Sequence, residues 1–86
     1  MLNTAVQEYE RIESWLLERL GELTGEPPEA IDLDRAFADY QLDSSVAVTL
    51  ARELARWLGR ELPLTLIWEY PNVRTLAAGL SGVGSA

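Results

Sequence analysis

The sequence predicts a small all-α four-helix bundle, with three main helices and a short third one. Two observations carry that prediction. Apolar residues recur at threes and fours in three separate stretches, and glycine or proline closes the first two of them. At 86 residues the chain is expected to form one domain, burying about 60% of the surface that its unfolded form exposes. That leaves room for one modest core.

The first helix is predicted over Thr4–Thr24, where Val6, Tyr9, Ile12, Leu16, Leu20 and Leu23 form an amphipathic stripe. Gly21 weakens it locally. Gly25 and the pair Pro27-Pro28 stop it, because glycine suits a left-handed C-cap and proline cannot continue the ladder. The connection that follows, "GEPPEAIDLDRAFADYQL", carries apolar anchors at Ile31, Leu33, Phe37 and Leu42 and is expected to pack over the bundle. Asp34 is expected to cap a short turn of Arg35, Ala36 and Phe37.

Asp43 has the character of an N-cap whose carboxylate accepts from the backbone of Ser45 or Val46, and "SSVAVTLARELARWLG" reads as the second helix. Ala47, Leu50, Ala51, Leu54 and Leu58 make its inward stripe. Val46, Arg52, Glu53 and Arg56 are expected outward, and Gly59 ends it. "LPLTLIWEYP" is long enough for one or two turns before Pro71. Asn72 then caps a last helix with Val73, Leu76, Ala77 and Leu80 inward. A core of residues 4–80 is expected, with a frayed tail over 81–86.

Composition excludes several functions. Residues 1–43 hold eleven acids against three arginines, while residues 44–86 hold three acids against four arginines. Such a surface repels nucleic-acid phosphate, and it lacks the basic face that anionic lipid would attract. No apolar run approaches the ~20 residues of a membrane span, so a cytoplasmic location is the default. A monomer is expected. With no cysteine there is neither a disulfide nor a thiolate, so any sulfur chemistry must come from outside. "DLDRAFADYQLD" fails as a calcium loop: Ala36 and Phe37 stand where a ligand and a glycine are needed, and Asp43 replaces the bidentate glutamate. No metal is therefore assigned.

The chain also lacks histidine and lysine. A serine nucleophile needs such a base within reach, so catalysis by the chain itself is not expected. The three tryptophans and three tyrosines read as core or rim packing residues. "DYQLDSSVAV" remains unexplained, with Ser44 and Ser45 opening a helix. Hydroxyl residues often support helix starts, but the same position favours a phosphate, and a serine there could accept a phosphodiester from another enzyme. The partner would then supply the base.

The pieces "IDLDRAFADYQLDSSVAVTLARELARWLG" and "LPLTLIWEYPNVRTLAAGL" resemble the acyl carrier proteins, most closely the carrier domains of modular polyketide synthases, over about Trp15 to Leu80. The serine core, the "LP-T-L" turn and the "YPN" cap follow in the family's order. The resemblance implies a phosphopantetheine arm on Ser44, the serine directly after the aspartate, with acyl chains carried as thioesters. A phosphopantetheinyl transferase would install the arm from coenzyme A with magnesium, and the loaded arm would visit ketosynthase and acyltransferase or other synthase domains. Helical spacing adds a partner-recognition rim of Leu42, Asp43, Ser45, Val46 and Arg52.

The chain departs from the family pattern in having Gln41 where glycine is usual and Ser45 where an apolar residue is usual. Its second helix also sets Arg52, Arg56 and Arg60 against Glu53, unlike the acidic face of fatty-acid carriers. Leu50 stands where a subset that recruits β-branching enzymes has tryptophan. The peptidyl carriers of nonribosomal synthetases are the nearest alternative, but they usually read glycine-glycine with histidine or aspartate before the serine. An unmodified helical interaction module would explain the composition, though not the ordered motifs.

Overall fold

A computed structural model describes residues 4–82. It is a small all-α bundle of four helices: α1 (Thr4–Thr24), α2 (Ser44–Leu58), α3 (Leu66–Glu69) and α4 (Val73–Ser81). Two 3₁₀ turns, Pro28–Ala30 and Phe37–Tyr40, interrupt the long connection between α1 and α2. No strand occurs among the described residues, only an isolated antiparallel bridge between Ala36 and Asn72. Ser81 ends α4 and Gly82 caps it with φ 83°, so the helix runs one residue into the predicted tail; residues 83–86 lie outside the described residues.

The stripes of the three main helices meet in one core. Ile12, Leu16 and Leu20 of α1, Leu50 and Leu54 of α2, and Val73 and Leu76 of α4 are essentially inaccessible, and Leu66 of α3 joins them. Each such leucine contributes about 1.5–3 kcal/mol through the surface it removes from water. Val6 and Leu23, predicted to share the α1 stripe, are instead 41% and 44% exposed. The 21 residues of α1 extend roughly 32 Å. It is longer than α2 and α4, so its end turns find no full cover.

The α1–α2 connection is pinned at its middle. Phe37 N–H donates to the Pro71 carbonyl at 2.8 Å, and Arg74 N–H donates to the Leu33 carbonyl at 3.2 Å. Arg74 also grips Asp34 with two nitrogens, Nε to Oδ1 at 2.6 Å and Nη2 to Oδ2 at 3.3 Å. Asp34 therefore does not cap a turn as predicted. It is an anchor to α4, and the guanidinium beside it holds its carboxyl below the usual range. The turn itself starts after Ala36, with no side-chain cap. Ile31 and Phe37 are buried as expected; Leu33 and Leu42 are half-buried against the core.

Two backbone details set the ends of this connection. At Gly21, a Cβ would stand 2.7 Å from the carbonyl oxygen of Glu26, so the chain reverses directly onto the face of α1 that glycine leaves open. Gln41 closes the second 3₁₀ turn with φ 57° and ψ 37°, a left-handed conformation in which a side chain is strained.

Gly21→Ala, despite the better helix propensity of alanine, is expected to lose about 1–3 kcal/mol in urea unfolding, because a backbone atom has to move. Gln41→Gly is expected to gain about 0.5–1 kcal/mol, relief of strain exceeding the extra freedom that glycine gives the unfolded chain. It should appear as a melting temperature raised by a few degrees.

Candidate functional site

The site is built where the connection ends and α2 begins. Tyr40 closes the last 3₁₀ turn and is buried, its ring 6.5 Å from that of Phe37 and 4.3 Å from the guanidinium of Arg35. Burial pushes the Tyr40 hydroxyl pKa up, and its oxygen has no hydrogen-bond partner among the described residues. Arg35 also donates to the Asp39 carbonyl at 3.3 Å, holding the turn from outside. Tyr40 thus belongs to the core rather than to the aromatic rim. The signal in the sequence was its spacing of three from Phe37, one turn of a 3₁₀ helix.

Past Gln41 and the half-buried Leu42, Asp43 caps α2. Its Oδ1 accepts from Val46 N–H at 2.9 Å and from the Ser45 hydroxyl, also at 2.9 Å. The bond from the Val46 backbone, then that from Ser45, holds its carboxyl below the ordinary aspartate range. An oxygen so engaged is a weak proton acceptor near neutral pH, which argues against Asp43 as a base for the neighbouring serine.

The two serines differ in one respect. Both are exposed, but Ser45 Oγ–H is committed to Asp43, while the Ser44 hydroxyl makes no hydrogen bond among the described residues. Ser44 is the first residue of a 15-residue helix, where unpaired N–H groups and the helix dipole favour a phosphate. Its surroundings therefore fit a phosphodiester: an accessible oxygen, a favourable field, and a neighbour whose own hydroxyl is occupied.

The other predicted rim residues separate. Arg52 is exposed on α2, lining an open groove with Arg56, Leu62 and Leu64. Val46, expected outward, is half-buried in a cleft between α1 and α2, with Arg19 and Leu23 opposite. Glu53, also expected outward, pairs with Arg19 across the same cleft. The helices are crossed again by Trp15 and Trp57, stacked at 5.6 Å between ring centroids.

The far end of α2 and the start of α4 are closed by local caps. Gly59 ends α2 with φ 72°, its N–H donating to the Ala55 and Arg56 carbonyls. Asn72 and Thr75 form a reciprocal capping box at α4: Thr75 N–H donates to Asn72 Oδ1 at 2.9 Å and Asn72 N–H to Thr75 Oγ1 at 3.2 Å.

Among known proteins, a family model described as a phosphopantetheine attachment site matches residues 14–80. The chain belongs to this family of carrier proteins. Its members hold acyl or peptidyl intermediates on phosphopantetheine and are not themselves catalysts. This carrier is 40% identical over 75 residues to a pikromycin polyketide synthase component of Streptomyces venezuelae, covering 86% of the chain but only 2% of that relative's length. In structure it is similar to an acyl carrier protein from Anabaena with a variant phosphopantetheinylation-site sequence, at a TM-score of 0.80, 37% identity, and coverage of 88% of this carrier and 86% of that one. It is similar also to a free-standing peptidyl carrier protein from Acinetobacter baumannii, at a TM-score of 0.78 and 31% identity over 87% and 94% of the two chains.

The depressed Asp43 pKa sets the sign of an acid response. The cap stabilises the fold above the unfolded aspartate pKa of about 3.9 and is lost as pH falls through the lower folded value. Asparagine caps comparably but does not titrate. Asp43→Asn is therefore expected to melt near the wild type at neutral pH and to lose less melting temperature on going to about pH 3, a comparison made by circular dichroism.

Proposed function

We propose that this carrier takes phosphopantetheine on Ser44 and presents acyl intermediates to polyketide synthase enzymes. The observation that carries the reading is the free, exposed hydroxyl of Ser44 at the first residue of α2, beside a Ser45 whose hydroxyl is donated to Asp43. When attached, phosphopantetheine supplies the thiol that a chain without cysteine lacks.

In the loading reaction the Ser44 oxygen bonds to the pantetheine-bearing phosphorus of coenzyme A, the P–O bond of the coenzyme's pyrophosphate breaks, and its adenosine bisphosphate half leaves. The chain has no histidine or lysine, and its nearest carboxylate is committed to the helix cap. The base that takes the Ser44 proton therefore belongs to a phosphopantetheinyl transferase, which works with magnesium. Asp43 fixes the start of α2, and with it the Ser44 backbone, so that the serine oxygen stands in a field that favours the incoming negative charge. Ketosynthase and acyltransferase domains are the partners next in line, with Leu42, Asp43 and Ser45 next to the attachment point, Val46 in the cleft beside it and exposed Arg52 further along α2. Likeness to a polyketide synthase component over 86% of the chain supports this choice of partner class.

A peptidyl cargo is the second reading, and the likeness to a peptidyl carrier supports it. The two separate by asking whether an acyltransferase or an adenylating enzyme charges the arm.

Incubation with coenzyme A, magnesium and a promiscuous transferase is expected to add one phosphopantetheine by mass to the wild type and to Ser45→Ala, and none to Ser44→Ala. A gain in Ser44→Ala that disappears in Ser45→Ala would move the site by one residue.

A further inference from the structure

We propose that Gln41 is a recognition residue for loading, its carboxamide hydrogen-bonding to the phosphopantetheinyl transferase that modifies Ser44. This rests on attachment at Ser44. Gln41 stands three residues before that serine and is the one non-glycine residue with positive φ among the described residues. Its backbone takes part in holding the bend, the N–H donating to the Ala38 carbonyl at 3.4 Å. Its side chain is exposed and makes no hydrogen bond among the described residues. Glycine, usual at this place in the carriers that the chain resembles, would take the same bend freely. Strain kept where a permissive residue would serve points to a use for the side chain, and nothing within the described fold uses it.

Placement says what meets it. The chain has no histidine or lysine to act as a base, so the loading enzyme has to bring a base, magnesium and coenzyme A to the start of α2. An encounter at the small end of protein interfaces, about 500 Å² a side, is a patch about 13 Å in radius. Three residues span at most about 11 Å, which puts Gln41 inside a patch centred on Ser44. An amide that is solvated in the free carrier is then taken out of water, and without a partner there it would weaken the encounter. Its neighbours leave it alone in that role. From Tyr40 to Val48, the Ser45 hydroxyl is donated to Asp43, the Tyr40 hydroxyl is buried, and Leu42, Val46, Ala47 and Val48 are apolar. Besides Ser44 itself, Gln41 holds the exposed and uncommitted side-chain donor of that stretch.

The test measures loading of the full chain with coenzyme A, magnesium and a broad-specificity transferase, separating kcat from the KM for the carrier and recording each variant's melting temperature. Gln41→Gly removes strain and amide together. It is expected to melt above the wild type yet to load with kcat/KM about threefold to tenfold lower, the worth of one hydrogen bond, with the loss in KM. Gln41→Met keeps the length and the strained bend but has no amide, and is expected to lose the same factor without the gain in melting temperature. If Gln41 only shapes the bend, loading follows stability instead. Gln41→Gly that loads as well as the wild type or better, or an unimpaired Gln41→Met, overturns the contact and leaves attachment standing. A loss wholly in kcat overturns it too, since that reports the placing of the serine rather than the binding of the enzyme. Absence of any mass gain in the wild type overturns attachment and this proposal with it.

Discussion

The place of Ser44 depends on how the chain between α1 and α2 is held at the corner where α3 meets α4. Nineteen residues, 25–43, separate the two long helices, and a connection of that length has many ways to lie. Its middle is held by two backbone hydrogen bonds, Phe37 to Pro71 and Arg74 to Leu33, and by the two-pronged grip of Arg74 on Asp34. The ion pair is exposed and contributes little alone. Its effect is to hold register while Ile31, Phe37 and Tyr40 enter the core. Once those three are seated, only Gln41, Leu42 and Asp43 remain before α2, and the serine follows with little freedom.

The same arrangement explains why a left-handed residue precedes the serine. A 3₁₀ turn ending at a buried Tyr40 has to be redirected into an α-helix within three residues. Gln41 makes that change of direction at φ 57°, and Asp43 then begins the new helix from an extended conformation. Where glycine would adopt the bend without cost, glutamine adopts it under strain, because the turn before and the cap after both demand it.

Much of this was legible in the sequence, for identifiable physical reasons. Caps and stops are local: Asp43, Gly59 and Asn72 act on backbone groups within a few residues, and each does what its side chain or its lack of one predicts. Core stripes were legible because helical period is local too. What failed was long-range. Asp34 looked like a cap because its true partner, Arg74, lies forty residues away. Val6 and Leu23 fit the period of α1, but period does not state where the neighbouring helices end. Glu53 looked like a solvated acid until α1 brought Arg19 to it. At the site, the preference for Ser44 over Ser45 came with the family resemblance; the hydrogen bond that engages Ser45 exists only once Asp43 caps the folded helix.

That hydrogen bond bears on valency. Two neighbouring hydroxyls at the start of one helix are chemically equivalent in an unfolded chain, and a promiscuous modifying enzyme could use either. In the folded chain Asp43 sets them apart, because it accepts the Ser45 hydroxyl at 2.9 Å with the same oxygen that caps the helix and leaves Ser44 outside that bond. Under the proposed loading Ser44 is the single port. One carrier holds one cargo, and the order of steps along an assembly line is not scrambled by a second load on the same molecule.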